Sequence, residues 1–145
     1  MKTLIKFVLP LLLLAAGPAL AERSQAFGAV TVHYNAITTD TLTPDVARAY
    51  DITRSKYRGL LTVSVLKPNK LGMVQPVPAK IKAYAVNLSE QLRNISMREI
   101  REGTAIYYIG EFSVAPQEVL RFTVDVTAEG QKEANKLEFQ QSLLP

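Results

Sequence analysis

LRFTVDVT, residues 120–127, decides the fold: Leu120, Phe122, Val124 and Val126 alternate with Arg121, Thr123, Asp125 and Thr127. A period of two sends successive side chains to opposite faces of an extended strand, so one row meets a core and the other meets water. The same alternation returns where Leu61, Val63 and Val65 interleave with Thr62, Ser64 and Leu66, and where Ile81, Ala83 and Ala85 interleave with Lys80, Lys82 and Tyr84. Val30, Val32 and Tyr34 form an earlier row, and Leu137 and Phe139 share a face near the end of the chain.

Turn chemistry separates these runs. Lys67-Pro68-Asn69-Lys70-Leu71-Gly72, followed by Pro76 and Pro78, predicts a long exposed hairpin connection. Glu102-Gly103 predicts a turn between one strand over 92–101 and another over 104–114, and Pro116-Gln117 and Glu129-Gly130-Gln131 mark two more breaks. Six to eight short strands with little helix point to the all-β class and an antiparallel sandwich, with an open barrel as the alternative. One short helix is expected near residues 44–50: Thr43 suits the cap, Pro44 the first turn and Asp45 its positive end, with Val46, Ala49 and Tyr50 as the packing positions.

The N-terminus reads as an address. Lys2 and Lys6 precede an apolar run over Phe7–Leu14, and Pro18-Ala19-Leu20-Ala21 offers a small-residue cleavage site. This is the pattern of a secretory signal over residues 1–21, cleaved after Ala21, with an uncleaved anchor as the alternative. Residues 22–145 then form one domain, with no later segment long and apolar enough to span a membrane. The chain has no cysteine, which excludes thiol catalysis, zinc–thiolate sites, disulfides and lipidation through cysteine. Lys and Arg number 17 against 13 Asp and Glu, and loss of Lys2 and Lys6 leaves 15 against 13. So even a balance gives no case for nucleic acid.

Candidate chemistry is sparse. His33 is the only histidine, and alternation turns it away from Val32 and Tyr34 toward the less buried side. Ser24, Ser55, Ser64 and Ser89 offer hydroxyls without a recognisable acid–base spacing, and any triad would need His33. No metal-ligand or phosphate-loop pattern is present; Asp40, Asp45 and Asp51 read as turn and cap residues, and no cofactor or metal is expected. Glu99 and Glu111 are a conceivable carboxylate pair across a hairpin. Of Tyr107-Tyr108, one ring belongs in the core and the other at the surface. Asn87-Leu88-Ser89 and Asn94-Ile95-Ser96 match N-glycosylation acceptors, incidental in a chain of bacterial appearance. Arg54, Lys56 and Arg58 fan out just before Gly59-Leu60-Leu61, either toward an acidic ligand or partner or into local ion pairs.

Phe27-Gly28, Val32-His33-Tyr34-Asn35-Ala36, Leu42 and Pro44, then Ile52-Thr53-Arg54-Ser55-Lys56 with Arg58-Gly59-Leu60-Leu61, together resemble the DUF4426 family. EVLRFTVDVT at 118–127 and Leu137-Glu138-Phe139-Gln140-Gln141 extend the likeness over nearly all of residues 22–145. The resemblance implies an immunoglobulin-like sandwich in the periplasm and brings no catalytic mechanism. It points to His33, Tyr34, Asn35, Arg54, Ser55, Lys56 and Arg58 as binding candidates. The expectation is a small periplasmic binding or accessory domain that contacts an envelope protein or a small acidic ligand. A hydrolase using His33 and a structural or assembly factor of the envelope are the alternatives.

Overall fold

The computed structural model describes residues 23–143, so the expected signal segment lies outside the described residues. These residues form β1 (Arg23–Phe27), β2 (Val30–Thr38), a 3-10 turn (Thr39–Thr41), α1 (Pro44–Ala49), β3 (Arg58–Pro68), β4 (Val74–Pro76), β5 (Ala79–Asn87), β6 (Leu92–Ile95), β7 (Arg98–Glu102), β8 (Ala105–Ser113), β9 (Val119–Ala128) and β10 (Asn135–Ser142). A larger sheet runs β1-β2-β3-β8-β7, with the short β4 paired to the far end of β3, and a smaller sheet runs β10-β9-β5-β6. Every ladder is antiparallel. Among the described residues no ladder joins the sheets, so the molecule is a β-sandwich and not an open barrel.

The alternating rows become the core. Val32, Leu61 and Val63 of the larger sheet face Leu120, Phe122, Val124 and Leu137 of the smaller one, all essentially without solvent contact. Burial of each is worth about 1.5–3 kcal/mol relative to exposure. At the centre Phe122 stacks on Phe139 at 4.7 Å, Phe112 meets Phe122 edge-on at 5.3 Å, and Tyr34 lies 4.5 Å from Phe139. Both aromatic geometries are favourable ones.

The single strand expected over 92–101 is two. β6 stays with β5 in the smaller sheet, the chain crosses at Ser96-Met97, and β7 joins β8 in the larger. Ile95 is buried and Met97 packs against the same core, so the backbone bends inward across the sandwich edge there. That crossing passes over Gly110 in mid-β8, where a Cβ would lie 2.5 Å from Met97 Sδ and 2.8 Å from the Ser96 carbonyl oxygen. Only glycine fits under it.

One end of the sandwich is closed by a polar knot. Glu118 takes a two-pronged ion pair from Arg93 and accepts from Asn87 Nδ2 at 2.8 Å and from the Ala115 amide at 3.0 Å. Asn87 is buried and also accepts from the Ser89 and Gln91 amides, so it is a tie between turns and not an exposed glycan acceptor. The Arg93 guanidinium holds the Glu118 carboxyl at about 2, against an ordinary 4.5.

Candidate functional site

The connection from β2 to β3, residues 39–57, folds over the outer face of the larger sheet. Its helix begins as the residue types dictate: Thr43 Oγ1 accepts from the Val46 amide at 3.3 Å, Pro44 takes the first position and Asp45 the first turn. Its end is less ordinary. Asp51 adopts φ +56°, the Ile52 amide donates to the Ala47 carbonyl at 2.8 Å, and the Asp51 amide donates to that of Arg48 at 3.2 Å. This is a Schellman closure with aspartate in the place usually held by glycine, and it swings Ile52 inward onto Ala47. The buried packing residues are therefore Ala47 and Ile52, with Tyr50 half-buried against them as expected, whereas Ala49, also expected to pack, is exposed. Val46, expected to pack, is 40% exposed at the rim.

Thr39 fastens the segment from its other end. It is wholly buried; its hydroxyl accepts from the Ser55 amide at 2.8 Å and donates toward the carbonyls of Thr53 at 2.8 Å and Ser55 at 3.1 Å. Arg54 clamps the same turn, donating to the Leu42 carbonyl at 2.7 Å and the Asp40 carbonyl at 3.1 Å.

Under this segment lies an apolar groove of about 290 Å³. Its floor is the outer face of the larger sheet at Ile37, Leu60, Ile100 and Ile109, and its walls are Leu42, Val46 and Ile52. Leu60, Ile109, Ala47 and Ile52 form a second buried cluster, separate from the inter-sheet core. Polar groups sit at the edge. Tyr50 donates to Glu102, and Arg98 donates to the Tyr50 carbonyl. The hydrogen bond to that carboxylate pushes the Tyr50 phenol above its ordinary value, so it stays a neutral donor.

The seven candidate residues do not converge. Tyr34 points inward and packs on Phe139. His33 and Asn35 point outward, opposite Ser64 and Thr62 of β3. His33 lines a shallower depression of about 200 Å³ with Ser64, Leu66 and Tyr107. Among the described residues no carboxylate lines that depression. Ser55 is held by Thr39, and its Oγ accepts from the Tyr57 amide at 3.0 Å. Arg54 is bound to backbone, and Arg58 pairs with Glu111 at 3.3 Å. Lys56 lies over the Tyr57 ring at 5.4 Å and pairs with no carboxylate among the described residues. Two other readings are also resolved. Tyr108 is buried while Tyr107 is 38% exposed, on the face with Ile109. Glu99 is the register partner of Tyr108 and shares its face, whereas Glu111 is on the Ile109 face, so the sheet separates the two carboxylates.

The groove was written in the sequence off-phase. Ile37, Leu60, Ile100 and Ile109 are large apolar residues at positions that alternation assigns to water. An outward apolar row on neighbouring strands requires a second cover or a partner.

These features define a two-sheet antiparallel sandwich with a short helix laid over one outer face. The profile of the family described as "Domain of unknown function (DUF4426)" matches residues 24–145, and this chain belongs to that family. It is also similar to the crystal structure of a DUF4426 family protein from Pseudomonas aeruginosa PAO1, with a TM-score of 0.72 and 32% sequence identity over 86% of this chain and 95% of the other. Comparison with curated proteins finds no match.

Proposed function

We propose that this chain is an exported, periplasmic binding or accessory domain on an immunoglobulin-like scaffold, and that an envelope protein seats an apolar side chain in the groove beside α1. Support for the scaffold comes from strand order: β2-β3-β8-β7 follows the A-B-E-D sheet of constant-type domains, and β10-β9-β5 the G-F-C sheet, with β6 as an added edge. Support for export comes from the charged start, apolar run and Ala21 cleavage pattern of residues 1–21.

The observation that carries the binding role is the groove itself. A surface sheet face ordinarily shows polar side chains, yet here the face is apolar and residues 39–57 cover only part of it. Thr39 and Arg54 bind the backbone of the segment at Thr53, Ser55 and Leu42, which holds the covering loop in place over the sheet. Its volume of about 290 Å³ lies at the bottom of the range for pockets of drug-sized ligands, ~300–1,000 Å³, and suits one bulky side chain.

The test is a photo-crosslinker placed at Val46, on the rim, with a second at Lys132 as a remote control, in cells exporting the full chain. A protein captured from Val46 and absent from Lys132 is the expected result. Equal capture from both positions, or none from Val46 in a folded and exported protein, overturns the proposal.

A further inference from the structure

The β3–β4 connection, at the opposite end of β3 from residues 39–57, departs from an ordinary turn. Leu71, Met73 and Val74 are 81, 59 and 66% exposed, three large apolar side chains within four consecutive residues. The backbone beneath them is firmly organised. Asn69 Oδ1 accepts from the Leu71 amide at 2.8 Å and the Met73 amide at 3.0 Å, the Asn69 amide donates to the Met73 carbonyl at 2.8 Å, and the Gly72 amide to the Asn69 carbonyl at 2.9 Å. Gly72, at φ +80°, makes the reversal. With the Leu71, Gly72 and Met73 amides already bonded within the turn, fewer backbone groups must be stripped of water when its side chains enter an apolar phase.

Charge says which phase. Lys67 and Lys70 flank the tip, and no Asp or Glu occurs anywhere from Ile52 to Ser89. A convex apolar tip bracketed by lysines has the chemistry of a wedge for the interface of an anionic bilayer: the side chains enter the acyl boundary and the ammonium groups stay at the phosphates. A concave groove receives a protein's side chain; a rigid projecting tip has no pocket to offer one. We propose that residues 67–74 dock this domain reversibly on an anionic lipid surface, with Leu71, Met73 and Val74 inserted. β3 spans 11 residues, roughly 33 Å at ~3.3 Å per residue, so the docked domain would hold residues 39–57 well clear of the lipid.

The chain contains no tryptophan, which makes Leu71→Trp a unique fluorescent reporter of the tip and Tyr84→Trp a reporter of the smaller sheet's outer face. Titration of each mature protein, residues 22–145, with vesicles of phosphatidylglycerol and phosphatidylethanolamine should shift Leu71→Trp emission to the blue and leave Tyr84→Trp unmoved. Adding Lys67→Gln and Lys70→Gln should weaken the apparent affinity at least tenfold, as should high salt, and phosphatidylcholine vesicles should give no shift. An unchanged Leu71→Trp spectrum with anionic vesicles overturns the proposal, and circular dichroism of the variant shows that it is folded. An equal response to neutral vesicles also overturns it, as does a blue shift that requires added envelope protein.

Discussion

The two faces of the larger sheet carry nearly adjacent residues of the same strands to different ends. On β3, Leu61, Val63 and Val65 face the smaller sheet and lose all but about 1% of their exposure. Leu60, one position away, faces outward and is covered only by a loop and one and a half turns of helix. The inner face is closed by a rigid sheet whose side chains interdigitate with it. Residues 39–57 are fastened at both ends, through Thr39, Arg54 and the Asp51 closure, and leave a hollow between those fastenings. A second sheet fills the space over its face; a tethered loop buries Leu60 and Ile109 and leaves a groove beside them.

The largest expected effect is on the inner face. Phe122→Ala removes a ring that touches both Phe112 and Phe139 and should cost about 3–5 kcal/mol, read as a lower urea midpoint. Because Phe122 is remote from the groove lining, variants that remain folded should retain Val46 crosslinking in proportion to the folded fraction. Loss of crosslinking at full foldedness would break the separation of the two faces.

Next comes the knot that closes the core. Glu118 is held at about 2 in the folded chain, below the ordinary 4.5, so its stabilisation is complete above about pH 4.5 and is lost as pH falls from there toward 2. The part at stake is on the order of 3 kcal/mol. Glu118→Gln should lower the urea midpoint at pH 7 and flatten its decline between pH 5 and 2. An undiminished decline would place the acid sensitivity elsewhere.

A smaller effect, confined to the outer face, is expected from Thr39→Ala. The Ser55 amide loses its acceptor, a cost of about 1–3 kcal/mol. Faster hydrogen exchange at Ser55 and Ile52 should follow while β9 and β10 keep their protection, and Thr39→Ser should restore the wild-type pattern. Uniformly faster exchange throughout the sandwich would mean that residues 39–57 belong to the same cooperative unit as the inner core.

Legibility in the sequence follows the same division. The strands of the inner face, the helix cap at Thr43 and the opposite exposures of Tyr107 and Tyr108 are all local consequences of period and residue type. The crossing at Ser96-Met97 was hidden because Leu92–Ile95 and Arg98–Glu102 are each extended, and only the third dimension places them in different sheets. Thr39 reads as one more threonine in a turn; its partners are 14 and 16 residues away. Arg54 reads as a surface cation, and only the fold of residues 39–57 turns it back on Leu42 and Asp40. The outward isoleucines were visible, but the loop that shapes them into a groove was not.

The most direct test of that contrast uses the isoleucines on both sides. Ile37, Ile52, Ile100 and Ile109 line the groove, whereas Ile95 and Ile106 are buried in the inter-sheet core. Methyl NMR of the isoleucine-labelled protein under xenon, a neutral filler of apolar hollows, reports each face separately. Saturable shifts at Ile37, Ile52, Ile100 and Ile109, with Ile95 and Ile106 unmoved, are the predicted result. Shifts at Ile95 and Ile106 of equal size, or none at the four groove methyls, would contradict the account of one filled face and one open.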